Sequence, residues 1–191
     1  MTDAAVWLGA AVWQHGEQES MGKLFYRIIT GVLLAGWMLT IFRFSAQPAV
    51  ESEKVSGSVS YRVVEAYCEM FHKELPQDKM AALAERIDYP IRKAAHMTEY
   101  AVMGILAYAF LAGYWEKKAQ TYLAALLIAA LYAASDEIHQ LFVPGRAGRF
   151  SDVCIDTLGA LFGLFALFLL QKIWEMIAKR RGLHYNKNIS K

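Results

Sequence analysis

Four stretches of this chain are apolar for about as long as a bilayer is thick, and this limits the fold more than any other feature. They are 24–44, 94–115, 121–142 and 153–174. A helix needs about 20 mainly apolar residues to cross the hydrocarbon core. Lipid offers the backbone no hydrogen-bond partners, so a spanning segment of this kind must satisfy its own N–H and C=O groups as a helix. The expected fold class is all-α: a polytopic membrane protein with a four-transmembrane-helix bundle. The 191 residues are enough for one domain. Residues 23–178 are expected to form the membrane domain, after an N-terminal extension at 1–22 and before a basic tail at 179–191. The apolar stretch Ala4–Trp13 is short and lacks a preceding basic region, so it does not read as a cleaved signal. The compact unit is expected to begin near Met21.

Between the first two stretches lies a polar insertion, 49–91. Val55, Val59, Val63, Ala66 and Met70 recur at three- and four-residue spacing, as do Met80, Leu83 and Ile87. That is the period of an amphipathic helix. With Pro76 between the two runs, the expectation is two short helices on the membrane surface or capping the bundle. Pro90 suits the start of the second span, where its missing N–H costs nothing. Gly31 and Gly36, Gly104 and Gly113, and the Gly159/Gly163 pair are points where a neighbouring helix could come close.

Apolar residues make up 56% of the chain and the net charge is +2. The basic residues are dispersed, without the clustered face of a nucleic-acid binder, so no nucleic-acid partner is expected. Lys179-Arg180-Arg181 reads as a cytoplasmic flank or a contact for anionic lipid. Cys68 and Cys154 form no metal-binding pattern. If both lie on the outer side they could form a disulfide.

Charge placement carries the functional signal. The segment Ser135–Asp156, SDEIHQLFVPGRAGRFSDVCID, puts several ionisable groups next to or inside spanning helix. Such groups are costly at membrane depth and mark a functional site by default. In an antiparallel bundle, the end of span one, the start of two, the end of three and the start of four share one leaflet. Those ends carry Gln47, then Arg92, His96 and Glu99, then Asp136, Glu137, His139 and Gln140, then Asp152 and Asp156. Arg146 and Arg149 sit on the loop above, and the opposite halves of spans two to four are nearly free of charge. The basic flanks Lys23, Arg27, Lys117, Lys118, Lys172 and Lys179 lie at the other end, which the positive-inside rule makes cytoplasmic. The expected location is thus the cell membrane, with cytoplasmic termini and an extracytoplasmic site.

His96 with Glu99, or His139 with Asp136, would make a base oriented by a carboxylate, able to move a proton near neutral pH. Glu137 joins this group of catalytic candidates. Arg92, Arg146 and Arg149 could grip a phosphate or carboxylate, with Gln47, Gln140, Asp152 and Asp156 as further binding candidates. The plainer reading is an ion-pair network that orients helices, since buried charges must be paired whatever their purpose. A metal site has donors to choose from but no HExxH pattern, and no metal or cofactor is expected. A proton-coupled carrier would need a polar path through the inner halves of the helices, which they lack.

Taken in order, Phe44-Ser-Ala-Gln47, Arg92-Lys-Ala-Ala-His96-Met-Thr-Glu99-Tyr100, Ser135-Asp-Glu-Ile-His-Gln140, Val143-Pro-Gly-Arg146, Asp152 and Asp156-Thr-Leu-Gly159 resemble the VanZ-like family. These are bacterial membrane proteins named after an accessory protein of glycopeptide-resistance clusters. The resemblance runs from about residue 25 to 175. It implies a bacterial cell-membrane location and a link to teicoplanin resistance, and brings no settled reaction. Together with the residues, it leads to an expected protein that binds or acts on membrane lipids, in particular an anionic lipid or lipid-linked cell-wall precursor. The alternative is a non-enzymatic structural or interaction protein whose polar network only holds the bundle together.

Overall fold

The computed structural model describes the backbone of residues 3–180, with side chains from Ser20 onward. The expectations for the N-terminal extension and the basic tail fall largely outside these residues. Among the described residues the fold is all-helical: α1 (Asp3–Ser45), α2 (Ala49–Met70), α3 (Gln77–Ala112), α4 (Lys118–Gln140) and α5 (Phe150–Arg180).

Among the described residues, three helical segments are long and apolar enough to cross a membrane: Ser20–Ser45 of α1, α4 and α5. The C-terminal half of α3 is interrupted by His96 and Glu99, yet it lies at the centre and packs against α5, α4 and α1. Tyr100, Met103 and Ala107 of α3 are wholly buried there. Helix α4 presents Ala125, Ala129 and Ala133 inward, all fully buried, and Leu123, Leu127 and Leu131 outward. Small residues inside and large apolar residues outside are the pattern of a helix packed by close backbone approach in lipid.

The tightest approach is between α3 and α5. A Cβ on Gly159 would land on the backbone of Met97, and one on Gly163 on the backbone of Ala101. Gly104 returns the contact, facing the Ala160 carbonyl oxygen at 3.0 Å from an added Cβ. Gly31 and Gly113 also face neighbouring side chains, whereas Gly36 has nothing within 4 Å and is not a packing point.

The insertion differs from the expected pair of short helices. Its first helix, α2, has 22 residues. Its second continues through Pro90 into the bundle as one 36-residue helix, α3. Proline removes one backbone donor, a cost that packing on both sides of it can offset. On the outer side, Val64 and Cys68 of α2 pack on Ala84 of α3; on the inner side lies the bundle core. The buried face of α2 is Ser60, Val64 and Cys68, so the Val55, Val59, Val63 and Met70 stripe points outward, exposed. Both cysteines are free: Cys68 is buried in this hairpin and Cys154 is exposed on α5.

A polar clasp ties the hairpin. Asp88 accepts from Arg92 Nη2 at 2.6 Å and from Ser60 Oγ at 3.0 Å. Burial alone would raise the Asp88 pKa, but hydrogen bonds from Arg92, Ser56 and Ser60 and the Arg92 charge outweigh it and hold it below the ordinary value. A carboxylate with a lowered folded-state pKa stabilises the fold above its unfolded pKa, and this is lost as pH falls through the folded value. Asp88→Asn should therefore melt below wild type at pH 7, with the gap closing as pH drops through the carboxylate range. A gap independent of pH would refute the linkage.

Candidate functional site

One end of the bundle closes around a charged cavity of about 280 Å³. Its walls come from four helices and the loop between α4 and α5. Arg92, Lys93 and His96 enter from α3, Glu137 and Gln140 from α4, and Asp152 and Asp156 from α5; Ser52 and Glu53 of α2 and Arg146 and Arg149 of the loop complete the lining. The loop is shaped by two glycines. Gly145 has φ +76°, a left-handed conformation that glycine takes without strain. Gly148 lies so close to the Glu137 carbonyl oxygen and the Leu141 side chain that any Cβ would collide.

Most of the polar groups are engaged with each other. Lys93 Nζ lies 2.6 Å from Asp152 Oδ2, joining α3 to α5. Arg92 pairs with Asp88, and more distantly with Glu53 at 3.8 Å, while its Nε is buried without a partner. Gln140 Nε2 donates to Asp136 Oδ2 and Glu137 Oε1, both at 3.2 Å. The other oxygen of Glu137 accepts from the Arg149 backbone N–H at 2.8 Å, which fixes the loop over α4. Arg146 reaches across to α1, where Nε donates to Gln47 O at 2.8 Å and Nη2 to Phe44 O at 3.0 Å. Phe44 O belongs to the last turn of α1, where the helix leaves acceptors without intrahelical donors, and Gln47 lies two residues beyond the helix end. Burial lowers the Arg146 pKa; Arg92 adds to this, while Asp136, Glu137 and Glu99 oppose it. Arginine stays charged under all ordinary conditions.

The predicted residues therefore gather at one end, in different roles. Gln47 contributes its backbone oxygen. Arg146 and Arg92 are already held by protein groups. Arg149 keeps an exposed guanidinium with no ion-pair or hydrogen-bond partner among the described residues. His96 Nδ1 lies 3.8 Å from Glu99 Oε2, near enough for charge interaction but too far for a hydrogen bond. Glu99 and Asp136 lie outside the cavity lining. His139 does not pair with Asp136: its ring stacks on Phe42, centroids 4.5 Å apart, and its Nε2 is buried without a partner. Tyr100 OH is likewise buried and unpartnered, and Ser45 Oγ is buried beside the Asp136 carboxylate. Ser151 and Asp152 lie in the first turn of α5, which starts at Phe150. An acid in that turn suits the helix dipole.

Lys93 was not singled out from sequence as a site residue. Its signal was available: it lies three residues before His96 and hence on the same helix face. Glu53 and Ser52 carried no such signal, because only the fold of the hairpin brings α2 over the cavity.

A family model described as VanZ/LLP1 matches residues 30–171. The chain belongs to the VanZ/LLP1 family. No curated protein and no solved structure matches it. The VanZ/LLP1 match takes in both the cavity and the α2–α3 hairpin, so the insertion is part of the family unit. Every site residue predicted from sequence lies within the matched range. Family membership and the three apolar helices identify a membrane protein.

Proposed function

We propose that this VanZ/LLP1 protein binds the anionic headgroup of a membrane lipid or lipid-linked cell-envelope component in the charged cavity. The observation that carries this reading is the Arg149 guanidinium, a cation at the cavity with no protein partner among the described residues. A structural ion-pair network has no use for such a group, whereas an anionic ligand does. Phe142 and Phe150, each 81% exposed, flank the loop, as apolar groups would where a lipid's chain leaves its headgroup. In this reading the C-terminal half of α3 is a fourth span. Its buried position among three apolar helices supports that, since lipid must surround the whole bundle. The charged end faces outward across the cell membrane, because the basic flanks lie at the other end. His96 and Glu137 are the proton-handling candidates at the cavity wall, and the link to teicoplanin resistance would act through the bound envelope lipid.

The competing reading is a purely structural network. The Lys93–Asp152 and Arg92–Asp88 pairs favour it. Arg149→Ala separates the two. The binding reading expects unchanged membrane abundance and melting temperature, with anionic-lipid retention on the purified protein lowered about five-fold, equivalent to one cation near a headgroup. Unchanged lipid retention would remove the main support for a ligand site.

A further inference from the structure

The opposite end of the bundle holds a second, larger cavity of about 440 Å³, unrelated to the charged one. It forms where α1, the end of α3 and the start of α4 meet. Two side chains of α1 build its floor by holding the end of α3. Tyr26 OH donates to Ala109 O at 2.9 Å, and Arg27 Nε donates to Gly113 O at 2.6 Å. The Arg27 guanidinium lies over the Tyr114 ring, 4.3 Å from its centroid. Lys23, Arg27 and Lys118 line this cavity against one acid, Glu116. Lys118 is balanced by Glu175 at 3.1 Å. Lys23 is exposed and has no partner among the described residues. The excess charge is therefore positive. Helix α4 starts here, and its N-cap residue Lys117 makes no side-chain capping bond. Free N–H groups and the positive end of a helix dipole add to the attraction for an anion.

Apart from Thr121, the rest of the lining is aromatic or apolar, and it continues into an exposed apolar surface. Tyr114 is 50% and Trp115 45% exposed at the rim, and Leu24, Phe25 and Ile28 continue an exposed apolar surface along α1. Tyrosine and tryptophan favour the level of the headgroups. A charged pocket between helices, bordered by a membrane-facing apolar wall, matches a lipid phosphate with its chains outside better than a free solute.

We propose that this cavity binds the phosphodiester headgroup of an anionic membrane lipid from the leaflet opposite the charged cavity. The test uses the full-length protein purified in neutral detergent, with lipid binding followed by native mass spectrometry. Phosphatidylglycerol is compared with phosphatidylcholine and with soluble glycerol 3-phosphate, on wild type, Lys23→Ala and Arg149→Ala. Lys23 is exposed and makes no hydrogen bond or ion pair with another described residue, so its variant should fold and melt as wild type. The expected result is two phosphatidylglycerol sites on wild type: Lys23→Ala weakens one roughly five-fold and Arg149→Ala the other, so each variant keeps the site that the other one weakens. Equal retention of phosphatidylcholine would overturn charge recognition. Glycerol 3-phosphate binding as tightly as the lipid would overturn the lipid assignment. Phosphatidylglycerol binding that Lys23→Ala leaves unchanged, or that Arg149→Ala alone weakens, would remove the site from this cavity. The last outcome would leave the reading of the charged cavity standing, so the two fail separately.

Discussion

Gly163→Leu should abolish the folded protein. The Cβ alone would meet the carbonyl, C and Cα of Ala101 on α3, and a leucine adds three more carbons to that clash. Overpacking among side chains costs about 1–3 kcal/mol, since side chains can turn aside. Here the obstacle is backbone, so α5 and α3 must separate and the fully buried Tyr100, Met103 and Ala160 would lose their packing. The cost then approaches the roughly 5–15 kcal/mol that holds a typical domain together. Gly159→Leu should behave alike against Met97. Gly36→Leu is the control, since nothing lies within 4 Å of that position; its effect should stay within about 0.5 kcal/mol. The readout is monodisperse yield after solubilisation together with the melting temperature. Wild-type yield for Gly163→Leu would mean that the two helices do not pack through these glycines.

Arg146→Ala should cost about 2–4 kcal/mol, the value of two hydrogen bonds from a charged donor after allowing for partial exposure. That corresponds to a fall in melting temperature of roughly 5–10 °C. The loss is large because Nε and Nη2 together hold the Gln47 and Phe44 carbonyls at the end of α1. This is the main polar tie between that end and the loop over the cavity. Arg146→Lys should recover less than half, since a single ammonium lacks the planar fork that reaches both oxygens. An Arg146→Ala protein that melts with wild type would show that the loop and α1 are held by other contacts.

Gly159 and Gly163 were legible as a packing strip because their spacing alone puts both on one helix face. Arg146 was legible as important but not in its role. Sequence shows a guanidinium on a loop; only the fold shows that it faces carbonyls in and just beyond the last turn of α1, 102 and 99 residues away. His139 and Asp136 share a helix face at a three-residue spacing, which suggested a pair. In the structure Gln140 takes the carboxylate and Phe42 takes the ring, because spacing fixes direction along a helix and not the partner waiting there. The amphipathic period of α2 was real, but the burial turned to the Ser60, Val64 and Cys68 face. Small groups there allow close contact with α3, and periodicity does not say which of two faces meets a neighbour.

By itself, the sequence determined the class of the fold, the family, and the end of the bundle at which the charges collect. All three follow from local properties: the length of apolar runs, the motifs that interrupt them, and the antiparallel order that short connections impose. Only the tertiary structure decided that α3 runs unbroken through Pro90, that α2 folds over the cavity, and which cations are held and which are free. Those outcomes depend on contacts between residues far apart in the chain, whose geometry is set when the helices pack.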